Sequence, residues 1–427
     1  MTQRPDEFVD LINQHQQGHA LPREFYTSKA IFDHDIDAVW NQNWIWVGHE
    51  SQIPDPGDYF LFDYGPESLI IVRDRAGQVR AHLNVCRHRG SRVCTEGSGN
   101  ARVFVCPYHA WTYELSGKLR AGRDMGPEFD PEKWGLQSAH VIVFQGLILV
   151  CPGADAPPLD EALVQLAPLT ESFDLGNLKM VHTACYPVPA NWKLALENYL
   201  ECYHCAPAHQ EYSRSHTLKS PREMEALLPD MSKRATAAGL PDQILDLTGE
   251  SAIAPGSEVF YRRYPLFDDY KTGSKSGEAL APLLGRLTGY DGGATDLELG
   301  ILNYLLVYSD HVVGYRFIPR DVQQTDIQVV WMVRKEAEEG QDYSKEDLTW
   351  LWHITSQDDE RIIRHNQAGV NSHFFVPGPL AEMEWAINDF YEFYKTMIAK
   401  SLACDPLPDA KADLAYRAPT DRISNVS

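Results

Sequence analysis

Two short stretches set cysteine and histidine side by side: Cys86 and His88 in "CRHRG", then Cys106 and His109 in "CPYHAW". Two thiolates and two imidazoles make a zinc set. Zinc fingers, however, gather like ligands in pairs, whereas each pair here mixes one sulfur with one nitrogen. A further stretch, "NWKLALENYLECYHCAPAH", carries His204 and His209 at H-x4-H spacing, with Asn198 and Glu201 just before them. Two imidazoles and a carboxylate drawn from elsewhere in the chain form the set that holds Fe(II) and leaves coordination positions open.

The mixed pairs have a specific solution. Two loops that each carry one thiolate and one imidazole can converge on two metal atoms, Cys86 and Cys106 on one iron and His88 and His109 on the other. That is the Rieske form of a [2Fe–2S] cluster. The stretch "CRHRGSRVCTEGSGNARVFVCPYHAWTYELSGKL" resembles the Rieske oxygenases, the large subunits of non-haem iron enzymes. Respiratory Rieske proteins add a cysteine to each loop to form a disulfide. Cys94 has no such counterpart here, because Tyr108 stands between Pro107 and His109.

A cluster alone only moves electrons, so an oxygenase needs a second site where O2 can bind; His204 and His209 supply its nitrogens. Glu201, three residues before His204, is expected on the same helical face. A di-iron site would need a second E-x-x-H element, and no other histidine has Glu three before it. The resemblance implies that Glu201 lies behind the ligands and bridges the histidines of the two metal sites across a subunit boundary. The family usually has Asp there, so Glu is a departure. Asn198 matches a family asparagine that supports the site without ligating. The third ligand is sought in "LTWLWHITSQDDERIIRHNQAGV", where Asp358 and Asp359 compete. Asp359 shares a mostly apolar helical face with Leu348, Trp352, Thr355, Ile362 and Ile363, while Asp358 lies with Arg361 and His365; the apolar face selects Asp359.

The elements that must position these groups follow from pattern. At 427 residues the chain holds two or three domains. Short helices precede a β-rich stretch with strands at "SLIIVRD", "VRAHLNV", "ARVFVC" and "HVIVFQGLILVC", and "RAGQ" and "EGSGN" as turns. "CPGADAPPLDEA" marks a boundary. "NWKLALENYLECYHC" reads as a helix that ends before Pro207. "GILNYLLVYSD", "HVVGYRFIPRD" and "TDIQVVWMVRK" read as an antiparallel meander, followed by helices from 345 onward. The stretch 265–297 reads as an ordinary loop in preference to a lid. The expected fold class is α+β: a helical extension over 1–44, a Rieske β-domain over 45–155 and a catalytic domain over 156–427. The resemblance implies a helix-grip arrangement for the last, a curved antiparallel sheet around long helices.

The net charge of −22 argues against nucleic-acid or membrane-surface partners. No apolar run reaches transmembrane length and the first twenty residues lack a signal-peptide pattern, so the cytoplasm is the expected compartment. Eight cysteines in so long a chain are not a disulfide framework.

The segments "ENYLECYHC", "LPREFYTS" and "NQAGVNSHFFVPGPLAEMEWAINDFYEFY" are similar to the Rieske branch that demethylates quaternary ammonium compounds, glycine betaine monooxygenase and proline betaine (stachydrine) demethylase. Gln210 departs from the Pro expected there. The resemblance implies hydroxylation of an N-methyl group with O2, collapse to formaldehyde and the demethylated amine, and a homotrimer. Its electrons would come from NAD(P)H through a separate flavin and iron–sulfur reductase, since no G-x-G-x-x-G fingerprint follows a strand. A cation–π cage would suit such a substrate, and Tyr199, Tyr203, Phe374, Phe375, Trp385 and Tyr391 are its sequence candidates. The rival readings are an aromatic-ring hydroxylating dioxygenase, with the same iron residues around an apolar slot, and a pure electron-transfer protein.

Overall fold

A computed structural model describes residues 5–403 apart from position 268. The chain is α+β, and its strands form four antiparallel sheets among the described residues. Strand Ile45–His49 pairs with Leu147–Cys151, so the β-rich segment is closed at its base by its own two ends. Within it lie a four-stranded sheet, ordered Val79–Leu83, Glu67–Arg73, Asp58–Tyr64 and Ser98–Asn100, and a small sheet of Phe104–Val105, Thr112–Tyr113 and Leu119–Ala121. "EGSGN" is therefore not simply a turn. Ser98–Asn100 is an exposed edge strand whose partners on Asp58–Phe60 fix its register.

The second half is built on a seven-stranded sheet in the order Leu178–Val188, Gln324–Arg334, Val312–Asp321, Tyr304–Val307, Gly293–Leu299, Val259–Pro265 and Leu245–Leu247. The expected meander is its centre. On one face lie the helices Trp192–Tyr199, Lys345–Val370 and Trp385–Ala403, their apolar sides merged with Tyr304, Tyr315, Val329 and Trp331. On the other lie the helices Asp160–Thr170 and Pro221–Ala238 and the base of the β-domain, through Trp44, Trp46, Leu147 and Leu149. At this junction Trp46 rests directly on the central strand. A Cβ at Gly314 would fall 2.4 Å from the indole, so only glycine admits it. The buried Arg316 stacks on the same ring at 4.6 Å and donates to Val47 O.

The helix expected over "NWKLALENYLECYHC" differs in one respect. Asn191 caps it by accepting from Lys193 N, but it stops at Tyr199. Leu200–Tyr203 run out of helix, and a separate turn over Cys205–Ala208 contains Pro207. Pro is tolerated there because it sits in a first turn, where no intrahelical N–H bond is lost. The cysteines form no disulfide framework in the sequence reading, and one local bond joins Cys202 and Cys205 across this run-out. The stretch 266–292 carries neither helix nor paired strand at its described positions, apart from a single bridge at Leu266. It is pinned to the sheet end by Asp310, which accepts from Thr272 Oγ1 and from Leu280 N.

The N-terminal helices Pro5–Gln14 and Lys29–Asp35 join the helical face of the seven-stranded sheet, in a core that also takes in Phe60, Phe62, Leu69 and Ile71 of the β-domain. Their deepest contact is ionic: Lys193 Nζ pairs with Asp35, and both side chains are fully buried. Asp35 also accepts from Trp192 Nε1 at 3.1 Å and from Tyr394 OH at 2.5 Å. Deleting one member of such a pair strands the other charge in the core. Asp35→Ala is expected to lower unfolding stability by about 3–5 kcal/mol, and Asp35→Ala with Lys193→Met to recover most of it, as read by denaturant unfolding.

Candidate active site and cluster site

The two Cys/His loops are near copies of each other. In the first, Gly90 N donates to Cys86 O and Cys86 N to Ser91 O; in the second, Ala110 N donates to Cys106 O and Cys106 N to Trp111 O. Each turn closes with a left-handed residue, Gly90 at φ 75° and Ala110 at φ 57°. This repetition brings the four donors together in two kinds. Cys86 and Cys106 are buried in a core with Ile70, Phe104, Trp111 and Tyr113, and neither is in a disulfide. His88 and His109 are exposed, their ring centroids 4.7 Å apart, with His88 stacked on Trp111. Two sulfurs inside and two nitrogens outside fit a cluster whose irons take different ligands. Tyr113 OH lies 3.1 Å from Cys86 Sγ and accepts from Arg87 N, so its own proton is aimed at the sulfur.

The second site forms where the run-out after Tyr199 meets the long helix. His204 Nε2 and His209 Nε2 are 3.0 Å apart, and Asp359 Oδ1 is 3.5 Å and 3.0 Å from them. Among the described residues, these are the only three His, Cys, Asp or Glu side chains whose ligand atoms all lie within 4.8 Å of one another. The 3.0 Å approach is not a well-directed hydrogen bond: Asp359 Oδ1 is buried without a hydrogen-bond partner. An orphaned carboxylate oxygen facing two imidazole nitrogens is what a shared divalent metal would satisfy, and two nitrogens with one oxygen suit Fe(II). The site draws positive charge even to protons. Burial opposes a charged imidazole at His204, yet contacts to Asp359 and Glu201 raise its pKa to about 9. Burial would push Asp359 up, but the two histidines hold it below the usual carboxylate range.

Glu201 reaches His204 by a turn, not along a helical face. Its carboxylate accepts from Tyr203 N, from His204 N at 3.1 Å and from His204 Nδ1 at 2.5 Å. The last bond places a proton on Nδ1, so that Nε2, which faces Asp359 and His209, is the nitrogen that a bound metal would take. Asn198 Nδ2 stands 3.4 Å from the same Nε2. Asp358 is turned away, 3.6 Å from His209 Nδ1 and 3.4 Å from Arg361.

A cavity of about 530 Å³ opens on this trio. Of the six aromatic candidates, only Tyr199 and Trp385 line it; Tyr203 and Phe374 face solvent, and Tyr391 is buried against Tyr26. The sequence reading missed Phe260, Tyr264, Tyr212, Tyr315 and Trp352 in its walls, and also Arg262, Asp296 and Glu298. The period-two alternation of "VFYRRYP" and "GATDLEL" was the available signal, since it sends Phe260, Arg262 and Tyr264 to one face and Asp296 and Glu298 to the same face of the next strand. No described residue of the loop 266–292 lines the cavity. Burial raises Asp296 to about 7, and burial followed by repulsion from Asp296 raises Glu298 well above the ordinary range.

Comparison with known proteins adds the following. Residues 43–140 match the Rieske [2Fe-2S] domain, and residues 175–262 and 303–400 match the ring hydroxylating alpha subunit (catalytic domain). The chain is 33% identical over 403 residues to the glycine betaine monooxygenase oxygenase subunit of Chromohalobacter salexigens, covering 92% of this chain and 89% of that one. It is 35% identical over 205 residues to the carnitine monooxygenase oxygenase subunit of Escherichia coli K12, covering 47% and 54%. In fold it is similar to the quaternary ammonium Rieske monooxygenase CntA in complex with L-carnitine (TM-score 0.65, 22% identity, 93% and 99% covered). Naphthalene 1,2-dioxygenase with bound indole gives TM-score 0.65, 22% identity, and 90% and 93% covered.

Two outcomes check the donor sets. Asp359→Asn is expected to weaken iron binding more than about tenfold, while Asp358→Asn keeps it, as read by iron content against unchanged cluster absorbance. Tyr113→Phe removes a proton aimed at a cluster sulfur and is expected to lower the cluster potential by on the order of 50 mV, about one hydrogen bond, in redox titration.

Proposed function

The chain belongs to the Rieske oxygenases as an alpha subunit with a ring-hydroxylating catalytic domain, and from that premise we propose that it hydroxylates an N-methyl group of a betaine-type quaternary ammonium compound. As an oxidoreductase of this family it uses a Rieske [2Fe–2S] cluster and a mononuclear iron, with electrons from a separate reductase. In this reading Cys86, His88, Cys106 and His109 hold the cluster within 45–155, and His204, His209 and Asp359 hold the iron within 156–427; of the extension 1–44, the described residues 5–44 brace the latter. When bound, the cluster delivers single electrons and the mononuclear iron activates O2 for insertion into a C–H bond. The protein's own groups do the rest. Glu201 keeps His204 in one tautomer, Asn198 supports the same ring, and the aromatic walls exclude water and orient the methyl group.

The observation that carries the substrate class is the lining of the cavity. Asp296 and Glu298 face it with no cationic partner, and Asp296 Oδ1 is buried with no hydrogen-bond partner. Burying two carboxylates beside an apolar ring is unfavourable; burying them beside a permanent cation stabilised by aromatic faces is favourable. The slot of an aromatic-ring dioxygenase would have no use for them. The reaction balances as substrate N–CH3, O2, two electrons and two protons giving N–CH2OH and water. The hemiaminal then splits its C–N bond to release formaldehyde, the tertiary amine and a proton.

A cytoplasmic homotrimer served by a flavin and iron–sulfur NAD(P)H reductase belongs to the same reading. It is supported by the exposure of His88 and His109 and by Glu201 lying beside the exposed Tyr203. No helix among the described residues is long and apolar enough to cross a membrane. The test is formaldehyde release and O2 uptake by the iron-loaded protein with an NADH reductase, across glycine betaine, proline betaine, carnitine and aromatic acids. Formaldehyde matching O2 mole for mole with a betaine is expected, and it should vanish in His204→Ala with cluster absorbance retained. A diol or phenol formed only from an aromatic acid would replace this substrate class with the dioxygenase one.

A further inference from the structure

The quaternary ammonium reading leaves one cavity charge unassigned. Arg262 is the only lysine or arginine among the described residues lining the cavity. Its Cα is paired directly across the sheet with that of Asp296, on the same face. Opposite charges so placed ordinarily close on one another. Here they do not: Arg262 Nε is buried without a hydrogen-bond partner, and the guanidinium lies 5.0 Å from the Tyr264 ring instead. Asp296 Oδ1 is likewise buried and without a hydrogen-bond partner. The sheet thus presents a separated anion and cation, each lacking a counter-charge, on strands about 4.8 Å apart, and both open on the cavity that holds the metal trio.

A simple cation would satisfy Asp296 and leave Arg262 stranded beside a newly placed like charge. An aromatic acid would do the reverse. A zwitterion with its ammonium and carboxylate joined by a short carbon spacer satisfies both. We propose that Arg262 anchors the substrate carboxylate while Asp296 faces the ammonium, which makes Arg262 the residue that selects betaines over carboxylate-free quaternary amines. The assignment rests on the quaternary ammonium reading and adds to it the second charge of the substrate. Arg suits the role because its fork offers two parallel N–H donors to a carboxylate, and because Tyr264 holds the guanidinium plane in place.

The test uses iron-loaded protein with its cluster and an NADH reductase. Formaldehyde is measured with whichever of glycine betaine, proline betaine and carnitine turns over best, with the primary carboxamide of the same compound, and with choline. The carboxamide keeps the ammonium and the shape but loses the negative charge. Wild-type KM is expected to be on the order of 30-fold or more lower for the betaine than for its carboxamide. Arg262→Gln should raise the betaine KM and shrink that ratio toward one, and Arg262→Lys should restore part of it. Cluster absorbance and melting midpoint establish that the variants are folded, and the wild-type comparison needs no variant at all. Equal wild-type KM for betaine and carboxamide, or an Arg262→Gln variant that raises both alike, overturns the role of Arg262 while leaving N-demethylation standing. Turnover of aromatic acids with no formaldehyde from any quaternary amine overturns the substrate class itself and this assignment with it.

Discussion

The buried pair of Asp35 and Lys193 is the constraint on which the site geometry depends. Burial pulls the Lys193 pKa down while Asp35 opposes the fall. That partner comes from the N-terminal helices, and it also holds Trp192 and, through Tyr394, the C-terminal helix. Three segments remote in sequence therefore meet on one carboxylate. A well-packed apolar trio would hold them as strongly; what the charge adds is a single permitted register for the helix Trp192–Tyr199. A second polar contact repeats the arrangement one turn along, where Tyr26 OH donates to Glu197 and lies 3.2 Å from Tyr391 OH. With its register fixed at both points, the helix delivers Asn198 and the run-out Glu201–His204 to one place.

The two candidate donor sets sit in opposite electrostatic settings. The imidazoles of His88 and His109 lie at the surface, where an electron from another protein would arrive, while the Cys86 and Cys106 thiols are sealed in the core. In the trio, by contrast, His209 is buried and Asp359 Oδ1 is shielded, so a reacting centre there faces protein dipoles more than bulk water. The cavity extends that setting. In its walls the Arg262 guanidinium lies over the Tyr264 ring, and Arg262 Nε and Asp296 Oδ1 are each without a hydrogen-bond partner, so the walls keep their polarity.

What could be read from the chain depended on how local each feature is. The Cys/His pairs sit inside two tight turns, so spacing alone exposed them, and the meander and long helix followed from strict periodicity. Asp359 was legible because Leu348, Trp352, Thr355 and Ile363 mark the inward face of its helix, and all four are buried. The helix expected through Cys205 failed because Tyr203 N and His204 N donate to the Glu201 carboxylate instead of to carbonyls one turn back, a competition that propensity does not show. The aromatic candidates fared poorly for a related reason. Nearness in sequence to the iron motifs says little about a wall assembled from strands near 260, 296 and 315 and a helix near 352. The disulfide between Cys202 and Cys205 was hidden in the same run-out.

The β-domain is inserted into the other one. Phe8, Phe25 and Phe32 share a core with Phe390, Tyr394 and Ile398, while strand Ile45–His49 closes on Leu147–Cys151 some hundred residues later. During synthesis the inserted unit has all its strands, its own core around Tyr113 and both cluster loops before the long helix bearing Asp359 has left the ribosome. The N-terminal helices share their core with both the inserted unit and the last helix, so that core is complete only when the last helix arrives. Vectorial translation therefore separates the two donor sets in time: both Cys/His loops are complete on the nascent chain before the helix that carries Asp359 has been made.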